Sequence, residues 1–231
     1  MSWELIFNDE SSNEYNVYPV DEKVSVPAPE KDISVIEVPG RDGALHVDNK
    51  RYKPIDISIK LNFINYSNKI DENFRIIKKW LRGSGILSFS YDENYFYKVY
   101  DVKINNWSNT FRKGDFTAVF TCDPFTYSKL GTYAIKNPSK LYNDGYMAKP
   151  VYKITGEGYC LLNVNNSIVK VNIGQNCIID TGLQIAYRDD GQIVNTSVTG
   201  DISGLCLNEG NNDISVSEGF DLYVIPNWRY L

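Results

Sequence analysis

Residues 54–63, PIDISIKLNF, decide the fold class. Ile55, Ile57, Ile59, Leu61 and Phe63 alternate with Asp56, Ser58, Lys60 and Asn62, the period-two pattern of a strand with one face in a core and one in water. Residues 67–85, SNKIDENFRIIKKWLRGSG, switch to helical spacing. There Ile70, Phe74, Ile77 and Leu81 fall at i, i+4, i+7 and i+11, with Ser67 or Asn68 placed to cap the start and Gly83 to supply a left-handed stop. Strand patterns resume in GILSFSY, YFYKVYDVKI and DFTAVFTC, the last with Phe116, Ala118, Phe120 and Cys122 on one face. The spacing predicts a sheet covered by one helix, closed at CDPFTY, where Pro124 sets a turn.

Outward from this block, residues 136–150, KNPSKLYNDGYMAKP, are dense in Asn, Pro, Gly and Ser and read as a linker. This divides the chain into an N-terminal domain, 1–135, and a C-terminal domain, 151–231. In the second, the segments VYKIT, YCLLNV, IVKVNI, CIID, LQIAYR, QIVNTSV, DISVS and FDLYVI are separated by GEG, NNS, GQN, DDG and similar clusters. Short strands at that spacing predict an antiparallel β-sandwich. Pro226 ends the last strand, and Asn227 to Leu231 are expected to fold back over apolar surface. The stretch Val38 to Lys53, VPGRDGALHVDNKRYK, is a polar, glycine-punctuated excursion of the kind that serves as a functional arm.

Composition agrees with a mainly β chain. Among 231 residues there are seventeen Tyr, ten Phe and four Trp against two Met, a bias toward pleated surfaces. The net charge of −5 and pI near 5.0 provide no basic surplus for phosphate backbones or anionic lipid. Specific nucleic-acid binding is not expected. Without a signal-like start or an apolar run of membrane-spanning length, the chain reads as made in the cytosol. Cys122, Cys160, Cys177 and Cys206 lie 38, 17 and 29 positions apart, which fits no zinc or CxxC spacing and predicts free buried thiols. Sequons at Asn65, Asn106, Asn165 and Asn195 carry little meaning without a secretory signal.

No constellation for catalysis emerges. His46 is the single histidine, flanked by Asp42 and Asp48, and no serine sits in a GxSxG elbow. Gly83, Gly85 and Ser88 follow a helix instead of opening one, so they lack the geometry of a phosphate loop. Asp92 with Glu93, and Asp189 with Asp190, sit on turns, where acids are favoured for solvation. Neither an enzyme nor a cofactor or metal site is expected. The aromatics leave one binding alternative: Trp228 and Tyr230, or Tyr142 and Tyr146, as a sugar-stacking or docking platform, set against a role in a core or interface.

Taken together, PGRDGALHVDNKRYKPIDISIKL, FRIIKKWLRGSGILSFSYDENYFYKVYDVKI and FTAVFTCDPFTYSK, followed by NPSKLYNDGYMAKPVYKITGEGYCLLNVNN, IIDTGLQIAY, GDISGLCLNEGNNDIS and IPNWRYL, resemble the distal tail proteins of long-tailed, non-contractile phages (siphophages) or prophages of Gram-positive hosts. The resemblance runs over nearly the whole chain. It implies an N-terminal, ring-forming β-sandwich-like or split-barrel-like hub domain with one helix, and a C-terminal galectin-like or carbohydrate-module-like β-sandwich. It also implies a virion structural protein, a homohexameric ring in the baseplate hub that joins the tail-tube protein to the tail-tip protein and the receptor-binding proteins used in host adsorption. Its place would be the virion tail, assembled in the host cytoplasm, with no membrane contact. Some relatives carry an inserted carbohydrate-binding module, for which this chain has no room. A closing ring needs two different complementary patches per subunit, and Arg41, Asp42, His46, Asp48, Lys50 and Arg51 are the expected arm that reaches a neighbour. The alternative is a non-catalytic, lectin-like carbohydrate-binding protein.

Overall fold

The computed structural model describes residues 3–64, 70–110 and 112–231. The expected helix cap at Ser67 or Asn68 and the sequon at Asn65 lie outside them. The chain is mainly β, 56% strand against 11% helix, built of curled antiparallel sheets. It divides into two compact units, Met1–Thr126 with Leu231, and Tyr127–Tyr230.

The first unit contains β1 (Leu5–Phe7), β2 (Glu10–Ser11), β3 (Val17–Pro19), β4 (Lys31–Ile36), β5 (Leu45–Tyr52), β6 (Ile55–Ile64), α1 (Ile70–Trp80), β7 (Gly85–Phe89), β8 (Tyr95–Asn109) and most of β9 (Lys113–Ser128). Its main sheet runs β2-β1-β7-β8-β9-β6-β3. The alternation of residues 55–63 is the core face of β6. Ile55, Ile57, Ile59 and Leu61 lie opposite Cys122, Phe120, Ala118 and Phe116 of β9, and all eight are buried. A slip of β6 by one residue would turn its buried row into water, and each fully buried Ile or Phe contributes roughly 1.5–3 kcal/mol.

Helix α1 covers this sheet. Ile77 and Trp80 are buried, as is Leu81 just beyond the last turn. The Trp80 indole Nε1 donates to the carbonyl of Phe7 at 3.4 Å, and Phe74 stacks on Trp107, which in turn stacks on Phe63. Asp71 and Glu72 in the first turn and Lys78 and Lys79 in the last complement the helix dipole. Gly83, at φ +75°, stops the helix as its spacing predicts.

Pro124 does not close the first block, contrary to expectation: β9 continues to Ser128. Its ladder with β6 ends at Cys122, so the missing N–H of Pro124 falls beyond that ladder.

The second unit contains β10 (Ile135–Lys136), β11 (Lys140–Asn143), β12 (Val151–Val164), β13 (Ser167–Asp180), β14 (Ile185–Tyr187), β15 (Val198–Thr199), β16 (Gly210–Val216), β17 (Asp221–Ile225) and β18 (Arg229–Tyr230). Segments read as four strands are two. β12 and β13 form one hairpin paired from Val151↔Asp180 to Val164↔Ser167. The expected turn at Asn165 closes it, with Asn165 at φ +53°. GEG and GQN are not turns; they face each other within the hairpin and bend it. Gly156, Gly158 and Gln175 all have positive φ, and a Cβ on Gly156 would meet the Phe220 ring at 2.4 Å. On one side of the bend β12 pairs with β17, and on the other with β16, so a single hairpin supplies two differently partnered sheet regions.

The sequence division between the units falls at Thr126/Tyr127, ahead of the segment 136–150 expected as a linker. β10 pairs with β17 and β11 with β16, so that segment is part of the second unit's sheet. Its asparagines satisfy backbone groups there. The buried Asn143 donates from Nδ2 to the carbonyls of Tyr146 and Leu207 at 3.1 and 3.2 Å, and accepts from the Gly145 N–H. A composition that suits a loop also suits buried polar plugs.

Candidate functional site

All six residues of the expected arm lie on one β-hairpin. β4 and β5 form a separate two-stranded sheet, with Ile33, Ser34, Val35 and Ile36 opposite Asp48, Val47, His46 and Leu45. The acid–glycine step Asp42–Gly43, with Gly40 and Gly43 at φ near +80°, lets the connecting segment reverse. Arg41 and Asp42 lie in that segment, while His46, Asp48, Lys50 and Arg51 lie along β5, and all six are exposed.

Charge pairs hold the hairpin across its strands. Arg51 Nε donates to Asp32 Oδ2 at 2.6 Å, and Lys31 Nζ lies 3.4 Å from Asp48 Oδ2. Asp48 also accepts the Lys50 N–H at 2.7 Å. That backbone bond, with Lys31 second, holds the Asp48 carboxyl below its ordinary range, and the Arg51 guanidinium does the same for Asp32. The register is broken between Lys31 and Ile33, and Lys50 adopts φ +55° inside the irregularity. At the base, the Tyr52 ring meets Phe125 edge-on at 5.8 Å, and the Lys53 N–H donates to the Glu30 carbonyl at 2.8 Å. His46 is opposite Val35, and the acids at 42 and 48 do not form a triad with it: Asp48 is engaged by Lys31 and Lys50. Among the described residues no cluster of His, Cys, Asp and Glu could hold a metal ion.

A reading focused on charge missed the hairpin's aliphatic content. Ile33, Val35 and Ile36 on β4, Val38 in the connection, and Leu45 and Val47 on β5 are 39–59% exposed. The signal was present in DISVIEV, an aliphatic-rich run directly before the Pro-Gly-Arg-Asp-Gly connection. Two exposed strands are marginal alone in water, and six exposed aliphatics on one ribbon are a surface suited to burial.

The aromatics near residue 231 are placed differently. Trp228 packs against the core of the second unit. The Tyr230 hydroxyl donates to Asp144 Oδ1 at 2.8 Å, and the buried Arg229 donates from Nε to the Met147 carbonyl at 2.7 Å. The Arg229 guanidinium also lies over the Tyr146 ring, while Tyr142 is 67% exposed. Cys122, Cys160 and Cys177 are buried free thiols, and Cys206 is half-buried. No described helix is long and apolar enough to cross a membrane.

No family model and no curated protein sequence matches the chain. Among solved structures it is similar to the Dit protein (gp 19.1) of phage SPP1, described as a paradigm of the hub adsorption apparatus in phages that infect Gram-positive bacteria. The match covers 100% of both chains with a TM-score of 0.71 at 11% identity. The likeness is one of fold, and it extends over both units.

Proposed function

We propose that the chain is a structural, non-enzymatic protein of a phage tail. In this reading it forms a hub ring, homohexameric, that joins the tail tube to the tail tip and receptor-binding apparatus during host adsorption. The carrying observation is the full-length likeness to a hub protein's fold. The β4–β5 hairpin supports it: a ribbon with six exposed aliphatics is a natural arm for burial against a neighbouring subunit. Arg41, Asp42, His46, Asp48, Lys50 and Arg51 belong to that arm. The first unit is the ring-forming part, and the second is a galectin-like sandwich facing tip or receptor-binding partners.

Light scattering behind a sizing column tests the ring. A mass of about six times 26.4 kDa is expected. Deletion of residues 33–47, closed by a short Gly-Ser bridge, should give a folded monomer. A wild-type chain that remains monomeric at high concentration, even on adding tail tubes, sinks the ring.

A further inference from the structure

The first unit contains a cleft that the proposed role leaves unassigned. It has a volume of about 410 Å³ and lies at the C-terminal end of α1, lined by Glu10, Tyr15, Ile76, Lys79, Trp80 and Arg82. Its floor is aromatic and fixed in place. Tyr15 stacks on Trp80 with centroids 4.5 Å apart and planes within 12°, and the Tyr15 hydroxyl donates to Glu10 Oε2 at 2.7 Å. Ile76, 46% exposed, extends the apolar surface. Lys79 and Arg82 are exposed, and neither is paired with a carboxylate among the described residues. An occupant of this cleft needs an apolar body and acidic groups.

The end of the β4–β5 hairpin presents that chemistry. Residues 37–44 carry Val38 and Pro39 together with the acids Glu37 and Asp42, which are exposed and have no cationic partner among the described residues. The charges are equal in number and opposite in sign. The tip carries Glu37, Arg41 and Asp42, two negative and one positive, and the cleft carries Lys79, Glu10 and Arg82, two positive and one negative. Eight residues of β5 span roughly 26 Å at ~3.3 Å each, enough to carry the tip onto another molecule.

We infer that this cleft receives the hairpin tip of a second copy of the chain, Val38 and Pro39 lying on the Tyr15–Trp80 floor and Glu37 and Asp42 meeting Lys79 and Arg82. This rests on the ring reading and assigns the ring's receiving face. Because tip and cleft are different patches, the contact can run head-to-tail from copy to copy and generates a ring where the rotation closes.

Charge reversal tests the assignment by assembly mass. The variant Lys79→Glu with Arg82→Glu, and separately Glu37→Lys with Asp42→Lys, should each shift the protein to monomer at a concentration where the wild type is assembled. Mixing the two variants should restore mixed assemblies, because a reversed tip then meets a reversed cleft. All four positions are exposed, and unchanged melting shows that each variant is folded; Lys79→Gln with Arg82→Gln should give a weaker shift of the same sign. A wild type that assembles while the Lys79/Arg82 reversal leaves its mass unchanged overturns the cleft assignment and leaves the ring intact. Reversals that each dissociate the assembly but do not rescue one another also overturn it. A wild type that never assembles overturns both readings.

Discussion

The backbone nitrogen of Trp228 lies where the side chain of residue 131 would begin: a Cβ on Gly131 would meet it at 2.4 Å, and the Trp228 Cβ at 3.1 Å. The approach is held by the Asn227 N–H, which donates to the Gly131 carbonyl at 2.8 Å. Residues 227–230 are therefore built into the second unit. Gly131→Ala should destabilise by about 1–3 kcal/mol, because backbone and not a flexible side chain must yield. Removing residues 226–231 deletes the Asn227–Lys149, Arg229–Met147 and Tyr230–Asp144 bonds, a loss on the order of 3 kcal/mol. Thermal melting checks both, and an unchanged transition after the truncation would show that these contacts do not hold the second unit.

A second close approach lies in the first unit. Gly114 is opposite Phe63, and a Cβ there would fall 2.2 Å from the ring and 2.9 Å from the Ser108 carbonyl. Phe63 is 1% exposed and stacked on Trp107, so it has little room to move. Gly114→Ala should cost about 1–3 kcal/mol by overpacking. Pairing it with Phe63→Leu should recover part of that loss in denaturant titrations, the non-additivity expected of residues in contact.

Tyr152 is fully buried in the second unit, and its hydroxyl donates to the Leu205 carbonyl at 2.7 Å. Tyr152→Phe keeps the packing and strands that carbonyl, at a cost of about 1–3 kcal/mol. Tyr152→Ala adds a cavity and should cost about 3–5 kcal/mol. A Phe variant as stable as the wild type would mean that water replaces the hydroxyl.

The buried thiols predict an alkaline limb in stability. Burial first, and then Asp56 and Asp123, push Cys122 up to about 12, and burial raises Cys177 to about 11, from an ordinary 9.0. A folded-state value above the unfolded one gives stability that is complete below pH 9. It is lost as pH rises toward 11 for Cys177 and 12 for Cys122. Cys122→Ala should flatten this limb in melts between pH 8 and 11, apart from a constant cavity cost. At pH 7.5 a maleimide should label the half-buried Cys206 first, with mass spectrometry showing one adduct on the folded chain and four after denaturation.

What could be read from the sequence follows the range of the interactions. Residues 55–63 announce a half-buried strand because alternation is local, and 70–81 a covering helix for the same reason. GEG was misread as a turn because glycine at positive φ serves turns and bends alike; only the pairing of Gly156 with Gln175, nineteen positions away, separates them. Residues 136–150 look like a linker because the partners of β10 and β11 lie about seventy to ninety positions downstream. The charged side of the hairpin was visible in its composition. Its aliphatic side was written in DISVIEV, but that this run pairs with β5 required knowing that residues 31–36 fold back on 45–52.

The hairpin's irregular register has a consequence for the chain before it meets any partner. A straight two-stranded ribbon with exposed aliphatics invites edge-to-edge stacking into fibrils. Here the break between Lys31 and Ile33, with Lys50 at φ +55°, interrupts the run of edge hydrogen-bonding groups. Three flanking cations, Lys31, Arg51 and Lys53, stand paired with Asp48, Asp32 and Glu30 at the same end. A newly made chain thus carries charged, crooked edges that discourage indiscriminate pairing while its faces stay open. Since exposed charges are screened within about 3 Å at 1 M salt, concentrated salt is the condition under which stored protein should first begin to aggregate.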